Sequence, residues 1–239
     1  MAVGPDAQAP SHSGVAALTA GAAAVADRLE GIRRRVAGAG RDPDEVRIVA
    51  VTKGFGPEAV DAAVTAGIRE VGENYAQELL FKAEKTQGEV GWHFLGPVQR
   101  NKVSRLAPVV RAWHGIDRVV AAEAVAAASP GAEVLVQVNV AGDVSKAGCR
   151  PEDVDELVSR CRQLPLDLSG LMAVGPAGDV DGSRRCFRWL ADRARRLGLR
   201  ELSIGMSDDF EVAVAEGATT LRLGRVIFGP RPGRPSVER

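Results

Sequence analysis

Val46-Arg47-Ile48-Val49-Ala50-Val51-Thr52-Lys53-Gly54 is a run of mostly β-branched, apolar residues that ends on a lysine and then a glycine. Such a run fits a strand buried on both faces, the pattern of a parallel sheet. Pro57-Glu58-Ala59-Val60 follows and starts a helix with proline in its first turn. A lysine at the carboxyl end of this strand has its stem among apolar neighbours and its amine at the mouth of the sheet. Burial disfavours the ammonium form, which would make Lys53 a nucleophile able to form a Schiff base with an aldehyde. Taken alone, the simpler reading is a lysine that snorkels out of a strand end; the rest of the chain decides between them.

Working outward, an amphipathic helix precedes the strand over about 15–37, where Val25, Leu29, Ile32 and Val36 recur at helical spacing. The adjoining Arg33-Arg34-Arg35 is expected to be a solvated face. Arg41-Asp42-Pro43-Asp44 is a turn into the lysine strand. After it, strand and helix patterns alternate. Strands are expected near 46–52, 68–72, 91–95, 111–115, 133–140, 167–173, 201–205 and 219–223. Helices are expected near 57–66, 74–86, 99–106, 118–128, 151–163, 182–197 and 208–216. Eight such alternations predict an α/β fold, a single (β/α)8 TIM barrel, rather than a doubly wound sheet. No GxGxxG turn follows the first strand, which counts against a dinucleotide site. The expected organisation is a disordered tail over 1–14, the barrel over 15–231 and a short tail over 232–239.

The chain has 239 residues, 45% of them hydrophobic, with 31 basic against 31 acidic side chains. That length suits one barrel of roughly 250 residues, and the charge balance gives no electrostatic case for nucleic acid or an anionic membrane. Cys149, Cys161 and Cys186 make neither a disulfide framework nor a CxxC metal site, so a reducing, cytoplasmic location is expected, with Cys149 an inert thiol. The Ala-rich stretch 15–25 has no basic residue before it and Asp27 and Glu30 soon after, which fits a soluble helix and not an export signal or membrane anchor. No exposed apolar stripe stands out beyond the barrel helices, so a monomer is expected.

In such a barrel the chemistry lies where the strands end. Those positions carry Lys53, then Gly72-Glu73-Asn74-Tyr75, then Trp92-His93-Phe94 with Gln99 and Asn101-Lys102 beyond. They go on to His114, Asn139 with Ser145-Lys146 beyond, Met172, Gly205-Met206-Ser207, and Arg222 with Gly224. Loops after strands 7 and 8 commonly hold phosphate in this fold, and here Ser207 offers a hydroxyl, Gly224 a close backbone and Arg225 a charge. Ser207 or Asp208 could instead cap the next helix, with Glu211 completing a capping box; Asp208 and Asp209 are expected to turn away from an anion. An aldehyde-reactive lysine opposite a phosphate cradle describes pyridoxal 5′-phosphate, and equally a Schiff-base aldolase acting on a phosphosugar. Arg222 favours the first. An arginine facing the pyridine nitrogen would keep it unprotonated, making the ring a poor electron sink.

Ala50-Val51-Thr52-Lys53, Gly72-Glu73-Asn74-Tyr75-Ala76-Gln77-Glu78, Trp92-His93-Phe94-Leu95-Gly96 with Gln99 and Asn101-Lys102, Gly205-Met206-Ser207-Asp208-Asp209 and Arg222-Leu223-Gly224 occur in this order. With these motifs the chain resembles the YggS/PROSC family of pyridoxal phosphate homeostasis proteins from about residue 20 to about residue 231. The resemblance implies the fold of the barrel domain of alanine racemase (fold-type III of the pyridoxal phosphate proteins) without that enzyme's second domain. It implies that Lys53 is the Schiff-base lysine, that Asn74 lies beside the cofactor ring and that Arg222 faces the pyridine nitrogen. Met206, Ser207, Gly224 and the residue at 225 would complete the site around the phosphate. Arg225 departs from the family, which usually has Thr or Ser there; a hydroxyl contact is lost and a guanidinium stands in its place. Racemization needs a second acid or base on the far face of the cofactor, commonly a tyrosine, and Tyr75 is the only tyrosine in the chain. The expected function is therefore to store, buffer or deliver pyridoxal phosphate to apo enzymes, with no catalytic residue and no metal. A weak racemase or other fold-type III enzyme is the alternative, and a phosphosugar aldolase a more remote one. His93 and His114 are read as hydrogen-bonded barrel residues, and Lys102 and Lys146 as solvated charges at the mouth that could assist cofactor exchange.

Overall fold

Eight short parallel strands close on themselves in sequence order, each hydrogen-bonded to the next and β8 to β1. The computed structural model describes residues 12–231, with side chains from residue 21 on. The expected C-terminal tail and residues 1–11 of the expected N-terminal tail lie outside the described residues; His12, Ser13 and Gly14 begin the first helix. The order is α1 (His12–Gly38), β1 (Arg47–Val51), α2 (Pro57–Thr65), β2 (Glu70–Glu73), α3 (Ala76–Lys85), β3 (Gly91–Phe94), α4 (Arg100–Leu106), β4 (Val110–Ile116) and α5 (Val119–Ala128). It continues β5 (Glu133–Gln137), α6 (Val154–Cys161), β6 (Asp167–Met172), α7 (Val180–Arg196), β7 (Glu201–Ser203), α8 (Phe210–Ala215), β8 (Thr220–Leu223) and α9 (Arg225–Phe228). The architecture is the expected (β/α)8 barrel. The one helix the sequence pattern does not single out is α9, a single turn after β8.

The strands are apolar on both sides because each faces the helix ring outward and the barrel interior inward. The outer layer is built from side chains such as Val71, Trp113, Val134, Leu171, Phe187 and Leu221, all essentially inaccessible. Trp113 meets Phe94 edge-on at 5.8 Å between ring centroids. Burying side chains of this size stabilises the fold by about 1.5–3 kcal/mol each. α1 covers the barrel beside α2, and its basic run is exposed, as expected of a solvated face. Arg35 pairs with Glu211 at 2.8 Å and stacks over Phe210 at 4.3 Å, while Arg33 pairs with Asp44.

The interior is more polar than the branched apolar layers that usually fill such a barrel. At the amino-terminal end of the strands, Arg47 of β1 reaches Glu133 of β5 at 3.6 Å and Glu201 of β7 at 3.9 Å. Above this layer Gly72 is required by close packing: a Cβ there would lie 2.9 Å from Val49 and 2.6 Å from Leu95. Among the described residues, no helix is long and apolar enough to cross a membrane and no His/Cys/Asp/Glu group could hold a metal ion.

Candidate functional site

The register of the barrel seam brings the expected site together. β8 runs beside β1 with Arg222 opposite Val49 and Leu223 opposite Ala50, so Gly224 stands where β1 gives out. β1 ends at Val51, one residue before the end of the expected strand 46–52. Lys53 therefore sits half-buried in the turn beyond the strand, its ammonium 5.5 Å from the centroid of the Tyr75 ring. The turn is shaped by Gly54 at φ +78, whose N–H donates to Glu78 at 3.0 Å.

A cavity of about 530 Å³ opens at this carboxyl-terminal end. Lys53, Asn74, Met206, Ser207, Arg222, Gly224 and Arg225 all line it, with Gln137, Lys146, Asp208 and Arg231. Every residue singled out from the sequence as a cofactor contact is thus on one wall or another of a single space. A wider groove of about 990 Å³ runs past Arg69, Glu84, Glu89 and Arg111 near the other end of the barrel. It is larger but shallow, and holds none of these residues. We propose that the site lies in the smaller cavity, where the buried Arg222 meets the loops after β7 and β8.

Arg222 is the most constrained of them. It is 4% exposed; Nη1 donates to the Ser203 carbonyl at 2.6 Å and to Ser203 Oγ at 2.8 Å, and Nη2 to the Ala173 carbonyl at 2.9 Å. Nε has no partner among the described residues. Burial pushes the guanidinium down to about 10, opposed by the charge of Asp209, so it stays protonated at neutral pH. Ser203 Oγ also lies 3.0 Å from His114 Nδ1, and His114 Nε2 lies 2.8 Å from His93 Nδ1. Both histidines are fully buried, as expected of hydrogen-bonded barrel residues. Burial, together with the charges of Arg222 and Arg47, pushes the His114 imidazole well below its ordinary range.

Beneath Lys53 lies a buried ion pair that the sequence pattern does not announce. Lys82 of α3, 2% exposed, donates to the Thr52 carbonyl at 2.8 Å and to Glu73, which is fully buried and also takes the Thr52 hydroxyl at 2.6 Å. Burial pushes the Glu73 carboxyl up, held back by the bonds from Lys82 and Thr52. Glu78-x-x-x-Lys82 reads as an exposed i,i+4 pair; the available signal was that Lys82 shares a helix face with Leu79.

The loop after β7 corrects three expectations. Gly205, at φ +88, makes a turn no side chain could share, since a Cβ would lie 2.6 Å from that of Ala213. Asp209, not Ser207 or Asp208, then precedes α8; its carboxylate accepts from the Met206 N–H at 2.6 Å and from Ser183 at 3.1 Å, so it does turn inward. Glu211 completes no capping box and pairs with Arg35 instead. Ser207 Oγ accepts the Val226 N–H at 3.2 Å, tying the two loops together. Asp208 does not turn away: it pairs with Arg225 at the cavity mouth. Lys146 lines the cavity but is tethered to the Gly175 carbonyl at 2.8 Å, and Lys102 on α4 does not line it. Cys149 is buried, which pushes its thiol up to about 12, in keeping with an inert group.

The chain matches the family model described as "Alanine racemase, N-terminal domain" over residues 22–232. It is 43% identical over 209 residues to a protein of Pseudomonas aeruginosa named pyridoxal phosphate homeostasis protein, a match covering 84% of this chain and 91% of that one. The solved structure of PipY from Synechococcus elongatus with PLP bound superposes with a TM-score of 0.75 at 30% identity, over 86% of this chain and all of that one. An alanine racemase of Clostridium difficile superposes with a TM-score of 0.67 over 87% of this chain and 58% of that one; at 13% identity this likeness concerns the fold.

Proposed function

The chain belongs to the family of the alanine racemase N-terminal domain that includes the pyridoxal phosphate homeostasis proteins, and on that premise we propose that it binds pyridoxal 5′-phosphate through Lys53 and buffers or delivers it. The observation that carries the reading is that Lys53, Asn74 and Arg222 open into the same cavity as Met206, Ser207, Gly224 and Arg225. The donor set fits the group. When bound, the cofactor would supply an aldehyde for condensation with a lysine amine, with loss of water. Lys53 stands at the cavity wall for that bond, and Arg222 offers a fixed cation to a ring nitrogen. Ser207, the backbone at Gly224 and the Arg225 guanidinium suit a phosphate. The single domain is read as acting alone in the cytoplasm: its large exposed apolar residues, Tyr75, Phe81, Val120, Val144, Val180 and Met206, fall on several different helices and loops, and its three thiols are free and buried.

Carrier and enzyme differ in what faces the cavity. An arginine at the ring nitrogen keeps that nitrogen unprotonated, which works against stabilising a substrate carbanion, and Tyr75 is the only tyrosine available as a second base. Cofactor-loaded protein is expected to restore activity to an apo pyridoxal phosphate enzyme. Incubated with a panel of amino acids in deuterated water, it should show no rapid α-proton exchange. Stereochemically defined exchange with one amino acid at ordinary turnover, about 1–1000 per second, would decide for a racemase or related enzyme.

The phosphate contacts make a separate prediction. Pyridoxal lacking the phosphate should bind at least about tenfold more weakly than the phosphorylated form, roughly 1.4 kcal/mol. Arg225→Thr should stay within about tenfold of wild type, because Arg225 already spends its charge on Asp208. Equal affinity for the two ligands, measured by fluorescence titration, would remove the phosphate site.

A further inference from the structure

The barrel interior holds a side-chain hydrogen-bond chain that runs from the opposite mouth to the cavity. Glu70, at the start of β2 and 18% exposed, accepts at 2.7 Å from His93 Nε2 of β3. His93 Nδ1 meets His114 Nε2 of β4, His114 Nδ1 meets Ser203 Oγ of β7, and Ser203 Oγ accepts from Arg222 of β8. The two ends fix every link between them. Burial pushes the Glu70 carboxyl up, but the hydrogen bond from His93 and the charges of Arg111 and Arg47 hold the group below its usual range, so it accepts. His93 therefore carries its proton on Nε2 and presents a bare Nδ1. His114 must then donate from Nε2 and accept at Nδ1 from the Ser203 hydroxyl, whose remaining lone pair takes the Arg222 proton. All four donors point from the cavity toward Glu70. The alternative, a doubly protonated His93, reverses His114 and strands the Ser203 hydroxyl proton with no acceptor. It also adds a cation to an interior already holding Arg47 and Arg222.

We propose that Ser203, His114, His93 and Glu70 are positioning residues that hold Arg222 oriented and charged toward the ring nitrogen of the bound ligand, linking that nitrogen to a carboxylate at the far mouth of the barrel. This rests on the pyridoxal phosphate reading above. It explains why a buried histidine pair occupies space that branched apolar side chains ordinarily fill. A chain polarised along its length strengthens each bond in it, and the effect at the cavity depends on the charge at the other end. The groups facing it are few: Arg111 and Arg47 at Glu70, Arg47 and Arg222 at His114, Asp209 near Arg222, and Glu133 and Glu201 around Arg47.

The test uses ¹⁵N NMR of the full chain in two arms. In ligand-free protein labelled at histidine, His93 and His114 are expected to be neutral with the proton on Nε2 in both. An imidazolium, or a proton on Nδ1 of either at neutral pH, overturns the chain. In protein loaded with pyridoxal phosphate ¹⁵N-labelled at the ring nitrogen, His93→Leu and Glu70→Gln should each move the ring-nitrogen signal toward its position in the free cofactor. Neither residue touches the ligand cavity, so a merely structural role would leave the signal in place. His93→Gln, which keeps polar atoms in that space, should recover part of the shift. An unmoved signal in folded, loaded His93→Leu and Glu70→Gln refutes the proposal; if a variant takes up no cofactor, the histidine arm decides. Failure of wild-type protein to form a reducible bond at Lys53 would refute the cofactor reading and leave the histidine arm standing as its own test.

Discussion

Lys82→Met is expected to lower folding stability by about 3–5 kcal/mol, the usual cost of removing one partner from a buried ion pair. Most of that loss comes from the survivor. Glu73 is fully buried, one of its oxygens already has no partner, and without Lys82 the other keeps only the Thr52 hydroxyl. The Thr52 carbonyl loses one of its two donors at the same time and keeps the Phe55 N–H at 2.9 Å. Urea unfolding should show the midpoint fall with little change in slope. Replacing both partners, as Lys82→Met with Glu73→Leu, should recover much of the loss, since apolar side chains often substitute for a buried pair without penalty. A loss below about 1 kcal/mol in the single variant would mean that the pair is open to water. Because Lys82 grips the residue just before Lys53, the single variant should also bind cofactor less tightly where it remains folded.

Lys53→Ala should remove the visible absorption of cofactor-loaded protein and weaken binding at least about 100-fold, near 2.7 kcal/mol. Lys53 is half-buried in a turn and makes no ion pair among the described residues, so its loss should leave the fold intact. The contacts at Arg222 and the phosphate would remain, holding the ligand without a bond to the chain. A variant that keeps the visible band at wild-type strength would show that another amine carries the aldehyde.

The strands were legible because an apolar β-branched run such as Val49-Ala50-Val51 has no other comfortable place than a sheet covered on both sides. The polar residues at strand ends were legible for the same reason: Lys53, Asn74, Ser207 and Arg222 interrupt runs that are otherwise buried. What escaped was pairing across the sequence. Ser203 is one serine in a short strand; its contact to Arg222 exists because β8 runs beside β7, and its contact to His114 because closure of the barrel brings β4 opposite β7. Lys82 was not singled out: its nearer acidic neighbour, Glu78, lies one helical turn away, while its principal partner, Glu73, belongs to β2. Asp208 was misjudged because its orientation depends on Arg225, seventeen positions away, the one place where the chain departs from the usual hydroxyl.

The claim that everything else depends on is that Lys53 carries the cofactor. Borohydride reduction of protein loaded with pyridoxal phosphate, followed by mass mapping, tests it directly. The chain has five lysines, and the expected result is a single pyridoxyl group on Lys53. A label on Lys102 or Lys146, with Lys53 unmodified, would contradict it.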